Sequence, residues 1–167
     1  MILALDVHYK EDSSAKSVGV LFEWDDDKAQ QVLIEYIYGI NDYVPGEFYK
    51  RELPCLLKII ETIDLNSLEA IIVDGYIYVD NLGKFGLGGI LWETLNQRIP
   101  VIGLAKTSFH GNKETVKEIL RGESKNPLFV SSIGFDLNTA SERVKNMKGD
   151  YRIPTLLKEM DVSTKTE

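Results

Sequence analysis

Three β-rich runs joined by short polar turns open the chain, and they constrain its fold more than any other feature. Residues 2–9, 17–24 and 30–38 are dominated by Val, Ile, Leu, Tyr and Phe. The turns at 10–16 and 25–28 are too short to hold a crossover helix, so the three runs predict an antiparallel meander. Beyond them the pattern changes. Apolar residues at Phe48, Leu53, Leu56, Ile59 and Ile60 predict a helix over 47–62, with Pro54 placing a kink or helix start near 50–53. Residues 69–73 read as a buried strand ending at Asp74-Gly75, followed by a Gly-rich loop and a helix near 86–96. Strands are expected over 99–104 and 127–131, and helices over 113–121 and 137–148. The expected product is one α/β domain over 1–160, a mixed sheet (the three-strand antiparallel meander plus parallel strands) flanked by helices. The polar residues 161–167 read as a flexible C-terminal tail.

Composition narrows the function classes. Cys55 is the sole cysteine of the 167 residues, which excludes an intrachain disulfide and a cysteine metal cluster. No apolar run reaches membrane-spanning length, and Met1–Leu5 is too short for a signal peptide, so a cytoplasmic protein with no membrane partner is expected. The net charge of −7 opposes phosphate binding, but it is unevenly spread. Residues 98–152 hold ten Lys or Arg against six Asp or Glu, whereas 1–97 hold seven against seventeen. Such a field permits a metal-dependent nuclease without requiring one. The glycines at 83, 86, 88 and 89 do not form a dinucleotide fingerprint, no Walker loop or G-x-S-x-G is present, and His8 and His110 stand alone in sequence.

Three acids stand out. Asp6 interrupts an apolar strand, where a carboxylate is costly without a cation or donors. Asp74 closes a buried strand, and the carboxyl ends of such strands are where ligands bind in open α/β sheets. Glu52 lies on the helix between them. Taken singly each has a plainer reading: a strand-end turn residue, an Asp-Gly turn, a surface helix glutamate. Taken together they offer the hard oxygen ligands magnesium prefers. Lys106 follows a strand at the same edge and could hold a phosphate, though a plain exposed lysine explains its position equally well.

These residues sit in segments that resemble the endonuclease V family. Ala4-Leu5-Asp6-Val7-His8-Tyr9 resembles its opening strand G-V-D-V-S-Y, and Tyr43-Val44-Pro45-Gly46 with Arg51-Glu52-Leu53-Pro54-Cys55-Leu56-Leu57 resembles Y-I-P-G…R-E-x-P-x-L-L. Ile71-Ile72-Val73-Asp74-Gly75 resembles the strand ending in D-G, and Ile99 to Thr107 resembles I-P-T-I-G-V-A-K-S. Pro127-Leu128-Phe129-Val130-Ser131 is similar to P-L-Y-V-S, and Tyr151-Arg152-Ile153-Pro154 to the closing R-[IL]-P. Six segments in the right order, from about residue 3 to 159, carry the likeness.

The resemblance implies an RNase H-like fold and a Mg2+-dependent endonuclease, with Mn2+ as substitute. It would hydrolyse a phosphodiester near a deaminated purine, chiefly inosine, in DNA or RNA; apart from the resemblance, the sequence leaves the oligomeric state open and a monomer is expected. It implies that Asp6, Glu52 and Asp74 bind the metal and that Lys106 serves the phosphate. Tyr43, Val44, Pro45 and Gly46 would form a strand-separating wedge, and Gly75 would join them at the substrate. The family's final Asp or His falls on Glu159 or Asp161, and Glu159 would be a further metal ligand. The family's Q-G-x-x-H-P-R loop is replaced by Tyr76-Ile77-Tyr78-Val79-Asp80-Asn81-Leu82, and its S-P-G-H turn by Ser131-Ser132-Ile133-Gly134. The N-terminal helical extension usual in the family does not precede the first strand. The alternatives are a catalytically degenerate module binding nucleic acid or protein on the same fold, and a phosphohydrolase of small nucleotides.

Overall fold

The computed structural model describes residues 1–40, 45 and 48–166. Strands β1 (Ile2–Tyr9), β2 (Ala15–Phe22) and β3 (Gln31–Ile37) form the expected antiparallel meander. Helix α1 (Phe48–Ile60) leads to β4 (Ala70–Asp74), helix α2 (Leu87–Thr94) to β5 (Val101–Ala105), and β4 and β5 add to β1 in parallel. Strands β6 (Lys117–Ile119) and β7 (Leu128–Ile133) close the far side antiparallel, giving one sheet in the order β3-β2-β1-β4-β5-β7-β6. Helices α3 (Leu137–Lys145) and α4 (Thr155–Lys165) complete the chain.

Side chains alternate across each strand, so the sheet buries two faces. Ile2, Ala4, Val18, Val20, Ile72, Ile102 and Leu104 pack with α3 and α4. Leu3, Leu5, Ile71, Val73 and Val101 pack with α1 and α2 through Leu56, Ile59, Leu87 and Leu91. Burying each such side chain contributes about 1.5–3 kcal/mol. The parallel strands β4 and β5 are apolar on both faces, the pattern of a sheet covered on each side.

Three local expectations need correction. Residues 113–121 do not form an α-helix: a 3-10 segment at His110–Thr115 gives way to β6. The run has helix-forming residues, but Val116 is extended and Ile119 pairs with Leu128, so burial against β7 overrides propensity. Helix α1 starts at Phe48 and runs unbroken past Pro54, whose exposed position leaves its ring at the solvent side. Residues 161–165 do not fray but continue α4, because Met160 and Thr164 are buried and the helix end is held from β2.

Candidate active site

Asp6 and Asp74 stand on neighbouring parallel strands at one level, Asp6 within β1 and Asp74 at the end of β4. The register pairs Leu5 with Val73, so the next residue of each strand is the acid. Asp6 lies opposite Val18 on β2 and Asp74 opposite Leu104 on β5, which puts both on the sheet face covered by α4. They line a small cleft of about 50 Å3 with Lys106 and Asp161, floored by Ile72 and Leu104 and walled by Leu157 and Met160. The cleft is too small for a nucleotide, so any polymeric substrate must lie across its mouth. Glu52 approaches from α1, and its charge is coupled to both aspartates.

The chain leaves Asp74 by a sharp crossing over β5. Gly75 has φ +132° and donates its N–H to the Leu104 carbonyl at 3.0 Å. Ile77 N–H then donates to Ser131 Oγ at 3.1 Å, passing above Gly103. A Cβ on Gly103 would stand 2.7 Å from both the Gly75 carbonyl and Ser131 Oγ, so only glycine permits this approach.

Electrostatics set the cleft apart from the rest of the fold. Burial first, then the Asp74 and Asp161 charges, raise the Asp6 pKa to about 6, against the Val7 N–H (2.9 Å) and Lys106. Glu52 is raised to about 7 by burial and by the charges of Asp74 and Asp6, with Arg51 opposing. Asp74 is raised by the protein crowded around it although its side chain reaches solvent, with Lys106 pulling down and Asp161 pushing up. Burial acts upward on Asp161 too, but its hydrogen bond with Lys165 and the charges of Lys165, Lys106 and Lys158 hold it below its ordinary value. Beside Glu52, the Arg51 guanidinium lies 3.6 Å from the Tyr9 ring centroid. The Tyr9 hydroxyl and Arg51 Nε are buried without a hydrogen-bond partner.

Two cationic side chains position the site's outer members. Arg152 donates from Nη2 to the carbonyls of Lys106 and Pro127 (2.7 Å to the latter), fixing the segment that carries Lys106. Lys16, 4% exposed, donates from Nζ to the Ser163 carbonyl at 2.6 Å and the Thr166 carbonyl at 2.7 Å. A cation at a helix C-terminus is favourable, and here it anchors the helix that brings Asp161 to the cleft. The sequence assigned Lys16 to a turn. Strand β2 begins at Ala15 instead, and the alternation Lys16, Val18, Val20 was the signal that it points under α4.

The structure therefore brings together Asp6, Asp74, Lys106 and Asp161, with Glu52 adjoining. Glu159 is exposed and does not line the cleft, whereas Asp161 does. Tyr43, Val44 and Gly46 lie outside the described residues, and Pro45 is an exposed turn residue. Among the described residues no three His, Cys, Asp or Glu side chains close into a ready-made metal cage. The donor chemistry nevertheless fits a hard divalent cation. The donors are carboxylates that repel one another, and magnesium ordinarily takes one or two carboxylates, several waters and substrate phosphate.

A meander followed by parallel strands, with one acid at the carboxyl end of β4 and another beside it within β1, defines an RNase H-like α/β protein. The Endonuclease V family model matches residues 1–162, and the chain belongs to that family. An Endonuclease V from Saccharolobus islandicus is 30% identical over 119 residues, 71% of this chain and 56% of the relative. One from Sulfolobus acidocaldarius is 27% identical over 113 residues, 66% of this chain and 52% of the relative. The match thus spans about half the length of these curated relatives. Among solved structures, Ciona intestinalis Endonuclease V in complex with a 24mer DNA containing an inosine followed by a ribo-adenosine superposes with a TM-score of 0.80 at 19% identity, covering 98% of this chain and 84% of that one. Human ENDOV gives 0.76 at 18%, covering 98% and 82%. These superpositions establish the shared fold.

Proposed function

We propose that this chain is a divalent-cation-dependent endonuclease that hydrolyses a phosphodiester near a deaminated purine such as inosine, in DNA or RNA. The carrying observation is that acids distant in sequence share one electrostatic field at the carboxyl edge of the sheet, raised by burial and mutual repulsion, beside an exposed lysine. Charges buried in this way are ordinarily paired or metal-bound. Asp6 and Asp74 would hold Mg2+ or Mn2+, with Glu52 and Asp161 flanking, so Asp161 replaces Glu159 as the candidate fourth acid. When bound, such an ion lowers the pKa of water and stabilises charge on a phosphoryl group.

The chain's own residues do the rest. Asp6 and Asp74 would set the ion's place over β1 and β4. Lys106, exposed at the mouth, offers its ammonium to a non-bridging phosphate oxygen, and Arg152 keeps the Lys106 backbone in register. The apolar wall of Leu157 and Met160 keeps bulk water from the back of the cleft. Inosine-containing and ordinary DNA and RNA, labelled and incubated with magnesium, manganese or chelator, test this. Metal-dependent cleavage lost in Asp74→Asn is expected. No cleavage of any strand, where a family relative cuts the same substrate, overturns it.

The replaced loop at Tyr76–Leu82 and the sequence pI of 4.9 favour a second reading, a non-catalytic binding module. It predicts binding that Asp74→Asn leaves unchanged, and turnover abolished by that substitution removes it. No helix among the described residues is long and apolar enough to cross a membrane.

A further inference from the structure

Far from the acid cleft, the outer edge of the sheet is unfinished. Strand β3 pairs with β2 along one side, and no other described strand pairs with it. An open edge is a template for another strand, and proteins ordinarily blunt it with proline, lysine, a bulge or a covering helix. The seven residues Gln31–Ile37 contain no proline and no lysine, and their register with β2 is unbroken. Helix α4 packs over β1 and β2 and leaves β3 largely uncovered. Val32, Ile34 and Tyr36, which lie opposite Val20, Val18 and Lys16, are 51%, 44% and 44% exposed. Tyr38 follows them at 76%. Single exposed apolar residues are ordinary, but a contiguous row of them marks an interaction surface.

The backbone points the same way as the side chains. At the open end of the β1–β2 pair the Lys10 N–H donates to the Ser14 carbonyl at 2.8 Å, which sets the antiparallel alternation. Lys16, Val18 and Val20 therefore turn their backbone groups to β1, and Ser17, Gly19 and Leu21 turn theirs to β3. On β3, Leu33 and Glu35 face β2, and the N–H and carbonyl groups left at the edge belong to Val32, Ile34 and Tyr36.

This edge is complementary to itself. Antiparallel pairing about a two-fold axis at Ile34 sets Ile34 opposite its own copy and Val32 opposite Tyr36, and all of these carry outward backbone groups. The same register sets Glu35, the one charged residue of the strand, opposite Leu33 on the other face, so no like charges meet within the pair. The ends match as well. Lys10 holds its ammonium 5.5 Å from the Tyr36 ring centroid at one end of the row, and the net-acidic turn Asp25–Lys28 leads into the other. Two-fold pairing brings the acidic turn of each copy toward the lysine end of the other.

We propose that β3 is a self-association edge, through which two copies of this chain join into one continuous sheet. Side-by-side pairing keeps the faces of the sheet, so both acid clefts then open on the same side of the dimer.

Sedimentation equilibrium of the full chain over a dilution series should give a mass rising from 18.9 kDa toward twice that value. Ile34→Lys sets two ammonium groups against each other at the axis and should weaken self-association about a hundredfold or more, with the circular dichroism spectrum unchanged. Cysteine pairing reads the register. Under mild oxidation Ile34→Cys should cross-link to its own copy, because the residues of a hydrogen-bonded antiparallel pair stand about 5.5 Å apart, within disulfide range. Val32→Cys alone should not cross-link, but mixed with Tyr36→Cys it should. Cys55 is buried and leaves the background low. A mass of 18.9 kDa at every concentration, a dimer that Ile34→Lys leaves intact, or Val32→Cys cross-linking as readily as Ile34→Cys overturns the proposal. If Ile34→Lys fails to fold, the cysteine pairs decide.

Discussion

Two buried charged regions of this molecule differ in how their charges are satisfied. Arg121, 4% exposed, donates to the backbone carbonyls of Lys145, Met147, Gly149, Tyr151 and Arg152. Its guanidinium gathers the connection between α3 and α4 and leaves nothing over for a ligand. At the acid cleft, Asp6 and Asp74 with the adjoining Glu52 crowd charges of one sign, and among the described residues Asp6 accepts a hydrogen bond from its neighbour Val7 alone. The first region spends its charge on the fold. The second keeps it unspent, at a cost to stability, and that difference is what singles out the cleft as the candidate site.

The largest effect that could break this contrast is on activity. Asp74→Asn should lower metal-dependent cleavage by well over a hundredfold, beyond the roughly 10–100-fold that losing an outer-sphere partner of a metal brings. Its melting temperature should stay level or rise. A loss of activity matched by unfolding would make the cleft structural. For the other region, Arg121→Met should destabilise the fold by roughly 3–5 kcal/mol in denaturant titration, because five carbonyls lose one donor group together. A change under about 1 kcal/mol would mean that water replaces the guanidinium.

Lys16 tests the boundary between the two regions, since it is a structural cation that acts on the site. Lys16→Met should cost about 2 kcal/mol through loss of two charge-assisted bonds to α4. It should also raise the manganese concentration needed for half-maximal stabilisation in a thermal shift, and Lys16→Arg should recover part of both. An unchanged manganese requirement would separate the α4 anchor from the site.

The smallest effect is the pH dependence of the chelated protein. Folded Asp6 and Glu52 hold their protons to about pH 6 and 7, above the ordinary carboxylate range that the unfolded chain keeps. Their contribution to stability is therefore full below about pH 4 and lost as pH rises through 6 to 7. Denaturation in EDTA at pH 5 and pH 8 measures it. Asp6→Asn should flatten the slope, whereas stability rising with pH in the unmutated protein would contradict the crowded-acid picture.

The chain by itself determined the meander and the strand–helix alternation, and it singled out Asp6 and Asp74 as candidate acids, with Glu52 joined to them through the family resemblance. These follow from alternation, from turn length and from carboxylates placed where apolar residues surround them, all of which are local. Only the tertiary structure decided that β6 is a strand, because its pairing with β7 is not written in Glu114 to Ile119. It also decided between two acids two residues apart on α4. Helical rotation turns Asp161 to the cleft and Glu159 to solvent, and that angle depends on Leu157, Met160 and Thr164 seating against the sheet and on Lys16 holding the helix end. The meeting of Asp74 with Lys106 follows from the β4–β5 register, and that of Tyr76 with Phe109 goes with a backbone crossing that Gly103 admits. Convergence of distant residues is a property of packing, and no window of sequence contains it.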